Sequence, residues 1–346
     1  MTMKTILPID PRLITRAQAR LDRLTKPLGS LGRLEHLAAL YSAISQEEKP
    51  QCPRGRVLTL AGDHGVVTEG VSVYPSSVTA QMVVNFLHGG AAINVLARQM
   101  GVEVQIVDMG VASDLDHLDG LVVRKIGPGT KNMVLGPAMT RDEAIRSVET
   151  GIELVEQAFS DGVRLVATGE MGIGNTTSSA AITAVMTGQP ISRVTGRGAG
   201  LDDDGLRRKR HVIEQALRVN DPQAGDAFDV LSKVGGYEIG GLVGVILGGA
   251  SCRIPVILDG FIAGAAALLA VTLSPTCREY LIASHRSAED GHQLVLEHLR
   301  LDPLLDLQLR LGEGTGACLA IGLLQSSILL MTQMATFDDA GVDQAS

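Results

Sequence analysis

The sequence predicts an α/β protein: a mostly parallel sheet flanked by helices, with a small helical domain built from both termini. Three observations carry that reading. Short, near-continuous apolar runs alternate with longer helix-patterned stretches along the 346 residues, as parallel strands buried on both faces require. The first ~45 and last ~30 residues carry helix signals and no strand signal. Gly, acidic and hydroxyl residues gather just after the strand runs, where parallel sheets collect their ligands.

The strand runs are 56–61, 103–108, 164–168, 255–258 and 280–283, with a weaker one at 121–126. Between them the helix starts are readable. Thr140-Arg-Asp-Glu143 is a capping box that opens a helix through Ala144, Val148, Ile152 and Val155, ending near Gly162. Ser287-Ala-Glu-Asp290 is a weaker start. Tyr74-Pro75-Ser76 opens another helix, with Pro in its first turn and a break at Gly89-Gly90. The expected division is one large α/β domain over 30–310 and a small helical domain from 1–29 and 311–346. The polar tail after Phe337 is expected to fray.

Composition narrows the function classes. Apolar residues make up 45% and aromatics 3%, with no Trp, so the core must be aliphatic and Ala/Gly-rich. A formal charge of −8 gives no electrostatic support for a nucleic acid or an anionic membrane as partner. No apolar run is expected to reach the ~18–20 residues of a bilayer span; the longest candidate, 261–273, falls short. The N-terminus has no signal-peptide stretch, so a cytoplasmic location is expected. Four cysteines without a CxxC pair and eight histidines without an HExxH spacing point to buried free thiols. Neither metal nor cofactor is expected.

The strand ends hold the chemistry. They read Gly62-Asp63-His64-Gly65, Asp108-Met109-Gly110, Gly169-Glu-Met-Gly-Ile-Gly-Asn-Thr-Thr177, Asp259-Gly260 and Ser284-His-Arg-Ser287. In the third, glycines let backbone approach a ligand, and Asn175, Thr176 and Thr177 open an apolar helix. The N–H groups of such a helix start suit a phosphate. The same residues also fit a capped strand-to-helix turn. The segment lacks the GxGxxG order, and no GxxxxGK[ST] occurs in the chain, which weakens dinucleotide and kinase readings. Asp202-Asp-Asp204 reads as acids at a helix N-terminus. In the basic run after it, Lys209 has the reach for a phosphate. Arg310-Leu-Gly-Glu313-Gly-Thr-Gly316 places one acid among glycines at a helix start, as a cap or as a catalytic group. His64, His88 and His285 stay open between structural and catalytic roles.

These motifs, together with Lys26-Pro-Leu-Gly-Ser-Leu-Gly-Arg-Leu-Glu35, Gly136-Pro-Ala-Met139, Asp229-Val-Leu-Ser-Lys-Val-Gly-Gly236 and Ser284-His-Arg-Ser-Ala-Glu289, cover nearly the whole length. In them the chain resembles the nicotinate-nucleotide–dimethylbenzimidazole phosphoribosyltransferases of late cobalamin synthesis. The resemblance implies a Rossmann-like, mostly parallel sheet flanked by helices, assembled as a homodimer whose substrates are nicotinate mononucleotide and an aromatic base. It implies Glu313 as general base and Glu170 as second active-site acid. It implies phosphate and ribose contacts at Gly172, Gly174, Lys209, Asp259 and Ser287, a further substrate contact at Asn175, and a base pocket around Tyr74 and Met82. Some family members carry Ser or Gln in that pocket, so Tyr74 and Met82 leave benzimidazoles, adenine and phenolic bases all open as acceptors. Two other readings remain beside it: a transferase using phosphoribosyl pyrophosphate, and a nucleotide-binding regulator without turnover.

Overall fold

A computed structural model describes residues 5–343. Its strands are β1 (Gly55–Gly62), β2 (Glu103–Gly110), β3 (Val122–Val123), β4 (Leu165–Met171), β5 (Val256–Leu258) and β6 (Leu281–Ala283). Its helices are α1 (Pro11–Asp22), α2 (Arg33–Ser45), α3 (Ser77–Leu87), α4 (Ala92–Met100), α5 (Arg141–Ser160), α6 (Asn175–Thr187), α7 (Ile191–Val194), α8 (Asp203–Asn220), α9 (Ala227–Val234), α10 (Tyr237–Ser251), α11 (Phe261–Leu273), α12 (Asp290–Leu299), α13 (Thr315–Gln333) and α14 (Phe337–Ala340).

All six strands are parallel, in the order β3-β2-β1-β4-β5-β6. Strand order reverses between β1 and β4, and ligands of open parallel sheets bind in the crevice at such a reversal. Every apolar run anticipated as a strand forms one. β4 continues past residue 168 because Leu60 pairs with Glu170 and Ala61 with Met171. Glu170 is therefore a strand residue, with the rigidity that implies.

Alternation along β1 feeds two cores. Leu58 and Leu60 join the larger cluster with α5, α6, α10 and α11. Val57 and Ala61 join the opposite cluster with residues of α2, α3, α4 and α13. Helices α5 and α10 meet backbone to backbone. A Cβ on Gly151 would stand 2.0 Å from Gly241 O, and one on Gly244 would stand 2.0 Å from Val148 O. Only glycine permits that crossing, which is the use of an aromatic-poor core.

Helices from both termini share a third cluster of Ala17, Leu21, Leu24, Ala38, Ala39 and Met331. Backbone bonds join the ends, Thr25 N–H donating to Ala335 O at 3.0 Å and Phe337 N–H to Arg23 O at 3.0 Å. α13 also presses Ala317, Cys318, Ile321 and Leu324 against the sheet.

Several local expectations change. The capping box at Thr140 forms, with Glu143 N–H donating to Thr140 Oγ1 at 3.2 Å and Thr140 N–H to Glu143 Oε2 at 2.7 Å. Pro75 stands ahead of α3, whose N-cap is Ser76, so it is not in the first turn. α12 begins at Asp290 with Glu289 as N-cap, because Ser287 Oγ accepts from Glu289 N–H inside the preceding loop. The tail does not fray at Phe337: Thr336 and Asp339 cap α14 reciprocally. The last three residues of that tail lie outside the described ones. Two stretches are long and apolar enough to cross a membrane, against the expectation of none: α13, with 19 residues, and 77–100. The first mixes Thr, Gln and Ser among its apolar residues and packs its core face inside the protein; the second is broken at Gly89 and Gly90.

Candidate active site

The carboxyl ends of β1, β4 and β5 converge on the loop 310–314. Its residues Gly312, Glu313 and Gly314 all have left-handed backbones, with φ of 85°, 64° and 96°. Such a φ is costly for a residue with a Cβ and is held by its surroundings. Glu313 N–H donates to Glu170 O at 3.2 Å, and Thr59 Oγ1 donates to Glu313 O at 3.1 Å. A Cβ on Gly169 would fall 2.5 Å from Glu313 O, so a glycine in β4 makes room for this loop. The loop thus docks Glu313 on the strand that carries Glu170.

Four acids lie here almost without solvent contact: Glu313 at 5% exposure, Glu170 at 6%, Asp259 at 2% and Glu238 at 0%. Glu313 Oε2 accepts from Ile93 N–H at 3.2 Å, in the first turn of α4. Burial raises the Glu313 carboxyl above the ordinary range, and the Ile93 amide works against that rise. Glu170 is pushed up to about 8 by burial, with the Asp259, Glu238 and Glu313 charges adding to the effect. Asn175 Nδ2 donates to Glu170 Oε2 and opposes it. Asp259 is raised to about 7 by burial, although backbone amides pull the other way. Its two oxygens accept from Ala317 N–H at 3.0 Å and Gly314 N–H at 3.3 Å, fastening the start of α13.

The second half of the site is cationic. Lys209 of α8 is fully buried, and its Nζ donates to Thr176 Oγ1 at 2.8 Å in the first turn of α6. Burial lowers its ammonium to about 8, opposed by the Glu289 charge. A helix start with a buried ammonium beside it suits an anion, and here Asn175 N–H and Thr177 N–H already donate to Gly172 O and Gly174 O at 3.1 and 2.9 Å.

The glycines of 172–174 serve packing first. A Cβ on Gly172 would stand 2.5 Å from Gly62 O, and one on Gly174, with φ 96°, would stand 2.7 Å from Val67 Cγ2. Ile173 N–H donates to Thr79 Oγ1 at 3.1 Å, tying α3 to this turn. Asn175 faces Glu170. Ser287 is nearly buried, and its N–H donates to His292 Nδ1 at 2.9 Å. Met82 packs partly buried against the core shared by α3, α4 and α13. Tyr74 precedes α3, is half exposed, and is held through its N–H donating to Ser72 Oγ at 3.1 Å.

The three histidines separate. His88 is exposed at the C-cap of α3. Burial pushes His285 down to about 4, and its Nδ1 lies 2.9 Å from Ser284 Oγ. His64 sits between Ser178 and Glu238 under the glycine turn.

Sequence reasoning missed Thr176 as the partner of Lys209, Glu289 beside it, the Ile93 amide, and Glu238. Glu289 closes the motif that starts at Ser284, but nothing in that motif points to Lys209. Glu238 left no signal beyond following Gly235-Gly236. Among the described residues no cluster of three or more His, Cys, Asp or Glu is arranged to hold a metal.

Comparison with known proteins follows the same lines. A family model described as phosphoribosyltransferase matches residues 6–342. The nicotinate-nucleotide–dimethylbenzimidazole phosphoribosyltransferase of Desulforudis audaxviator is 54% identical over 344 residues, covering 99% of this chain and 98% of that one. The protein of the same name from Geobacter sulfurreducens is 53% identical over 340 residues, covering 98% and 97%. The crystal structure of CobT from Thermus thermophilus superposes with a TM-score of 0.92 at 46% identity, covering 97% of this chain and all of that one.

Proposed function

We infer the reaction from one premise: the chain belongs to the nicotinate-nucleotide–dimethylbenzimidazole phosphoribosyltransferase family. It moves 5-phosphoribose from nicotinate mononucleotide to 5,6-dimethylbenzimidazole or a related base. The products are an α-ribazole phosphate and nicotinate, for assembly of the cobalamin nucleotide loop. The observation that carries this reading is a buried carboxylate loop and a buried lysine at a helix start, both beside the carboxyl end of β4, where strand order reverses.

The donor's ribose C1 is bonded to a pyridinium nitrogen. When that bond breaks, the ring takes the electron pair and leaves neutral, so no general acid is required. Positive charge develops on the ribose ring, and a carboxylate stabilises it. Glu170 has that role. Unliganded, its raised pKa of about 8 keeps it largely protonated near neutrality. A bound pyridinium favours its charged form, so donor binding drives a proton off.

Glu313 is the general base. It takes the proton that the acceptor's second ring nitrogen sheds as the first nitrogen bonds to C1. Its raised pKa makes it a stronger base than an exposed carboxylate, and Oε1 is left for the acceptor while Oε2 stays on Ile93. Displacement from the face opposite nicotinate inverts C1 and gives the α-riboside. Lys209, Thr176 and the start of α6 hold the phosphate, with Gly172, Gly174, Asn175 and Ser287 around it. Asp259 acts on the ribose side by fixing the loop that carries Glu313. Tyr74 and Met82 frame the acceptor. A homodimer in the cytoplasm completes the proposal; sedimentation of the purified chain at the monomer mass removes the dimer.

The test is direct. The purified protein is incubated with nicotinate mononucleotide and a panel of benzimidazoles, adenine and phenols, and ribotides are identified by mass. A new α-ribotide with release of nicotinate is expected. Binding of the mononucleotide without any ribotide leaves a regulator, and turnover only with phosphoribosyl pyrophosphate replaces the donor.

A further inference from the structure

We propose that His64 is a positioning residue for the donor's phosphate, bracing the turn 172–174 and the start of α6 through Ser178 and Glu238. This inference rests on the transfer reaction proposed above.

His64 is 2% exposed and cannot itself reach a substrate. Its ring nevertheless joins three segments. Nδ1 lies 3.1 Å from Ser178 Oγ in the first turn of α6, and Nε2 lies 2.6 Å from Glu238 Oε1 in the first turn of α10. Ser178 Oγ is also 3.4 Å from Gly235 O, at the end of α9. The glycine turn rests on the imidazole. A Cβ on Gly172 would stand 3.4 Å from His64 Cδ2, one on Gly174 3.3 Å from His64 Cβ, and one on Gly236 2.4 Å from His64 Cε1.

The turn needs such a brace. α6 starts from Gly174 with no side-chain cap, and the turn 172–174 that leads into it carries two glycines, which add conformational freedom. An anion site binds well only if its N–H groups stay aimed at one point before the ligand arrives. The brace is costly: Glu238 is fully buried, and its Oε2 has no hydrogen-bond partner among the described residues. Apolar side chains of the same volume fill such a space without that cost. What the polar trio adds is direction, since each hydrogen bond fixes one element against the imidazole plane.

The test is steady-state kinetics of His64→Asn, His64→Gln and Ser178→Ala, with both substrates varied. Asn places an amide near the Nδ1 position and Gln near Nε2, so each keeps one arm of the brace. The donor KM is expected to rise about tenfold in both His64 variants and by a few-fold in Ser178→Ala, as loss of one buried hydrogen bond implies. The acceptor KM and kcat should stay within about threefold of wild type, a split that general loosening of the fold does not produce. An unchanged donor KM in a folded variant, or a fall in kcat at constant donor KM, overturns the proposal. Should the His64 variants fail to fold, Ser178→Ala decides alone, because it removes one hydroxyl and adds no bulk. Amide exchange at 172–177 is measured in parallel. If the wild type transfers no ribose phosphate, the reaction reading falls, whereas faster exchange there in Ser178→Ala still supports the brace and unchanged exchange overturns it.

Discussion

Glu313 and Asp259 are both buried carboxylates at the same end of the sheet, yet they are held in opposite ways. Asp259 has both oxygens on the amides that start α13, at 3.0 and 3.3 Å. Glu313 spends one oxygen on Ile93 N–H and keeps the other, on a left-handed residue docked by its backbone to β4. Burial raises the pKa of both, but Asp259 has each oxygen on a backbone amide, whereas Glu313 has one oxygen that accepts no hydrogen bond from the described residues. In the proposed reaction Asp259 anchors the loop and Glu313 takes the proton, and Gly314, which bonds Asp259, couples the two.

That contrast can be broken by substitution. Glu313→Gln keeps an acceptor for Ile93 N–H and should leave the thermal midpoint nearly unchanged, while turnover falls ~10²-fold or more. Full turnover in that variant removes the base assignment. Lys209→Ala should raise the donor KM about tenfold to a hundredfold with little change for the acceptor, because a charge-assisted contact to phosphate is lost. Equal titration curves for the nucleotide before and after substitution would take Lys209 out of the phosphate site. Asp259→Ala should lose stability as well as turnover, unlike Glu313→Gln, because Asp259 holds the loop that carries Glu313. It leaves the Gly314 and Ala317 N–H groups unpaired and costs ~1–3 kcal/mol of stability in a denaturant melt. A variant as stable as wild type contradicts the anchoring role.

The smallest effect is the pH profile. Glu170 sits at about 8, and below that value it is protonated and must lose a proton to face the cationic donor. Lys209 also sits at about 8, and above that value it loses the charge that meets the phosphate. The kcat/KM for the donor should therefore form a bell centred near pH 8, reporting the free enzyme. Lys209→Arg should remove the alkaline limb, since a guanidinium stays charged. A profile that rises steadily through about pH 9 in the wild type contradicts the Lys209 assignment.

The sheet was legible because its strands are near-continuous apolar runs, and such runs have few other uses at about five or six residues. The α5 cap was legible because both its partners lie within four residues. The site was legible only as candidates at strand ends. Gly172 and Gly174 read as room for a ligand, whereas Gly62 O and Val67 occupy the space beside them. His64 and Glu238 are 174 residues apart, and no local pattern announces their contact. The left-handed backbone of Glu313 was equally hidden, because it is imposed by Thr59 and Glu170 from distant strands. Local chemistry is written locally; a brace or a strained loop exists only once the sheet has assembled.

The most direct measurement is a crystal structure with nicotinate mononucleotide and a poorly reactive benzimidazole bound. The phosphate is expected at the start of α6 beside Lys209, ribose C1 near Glu170, and the acceptor's N–H within hydrogen-bond reach of Glu313. A sugar bound away from loop 310–314, or an acceptor whose ring nitrogens face no carboxylate, would contradict the proposed reaction.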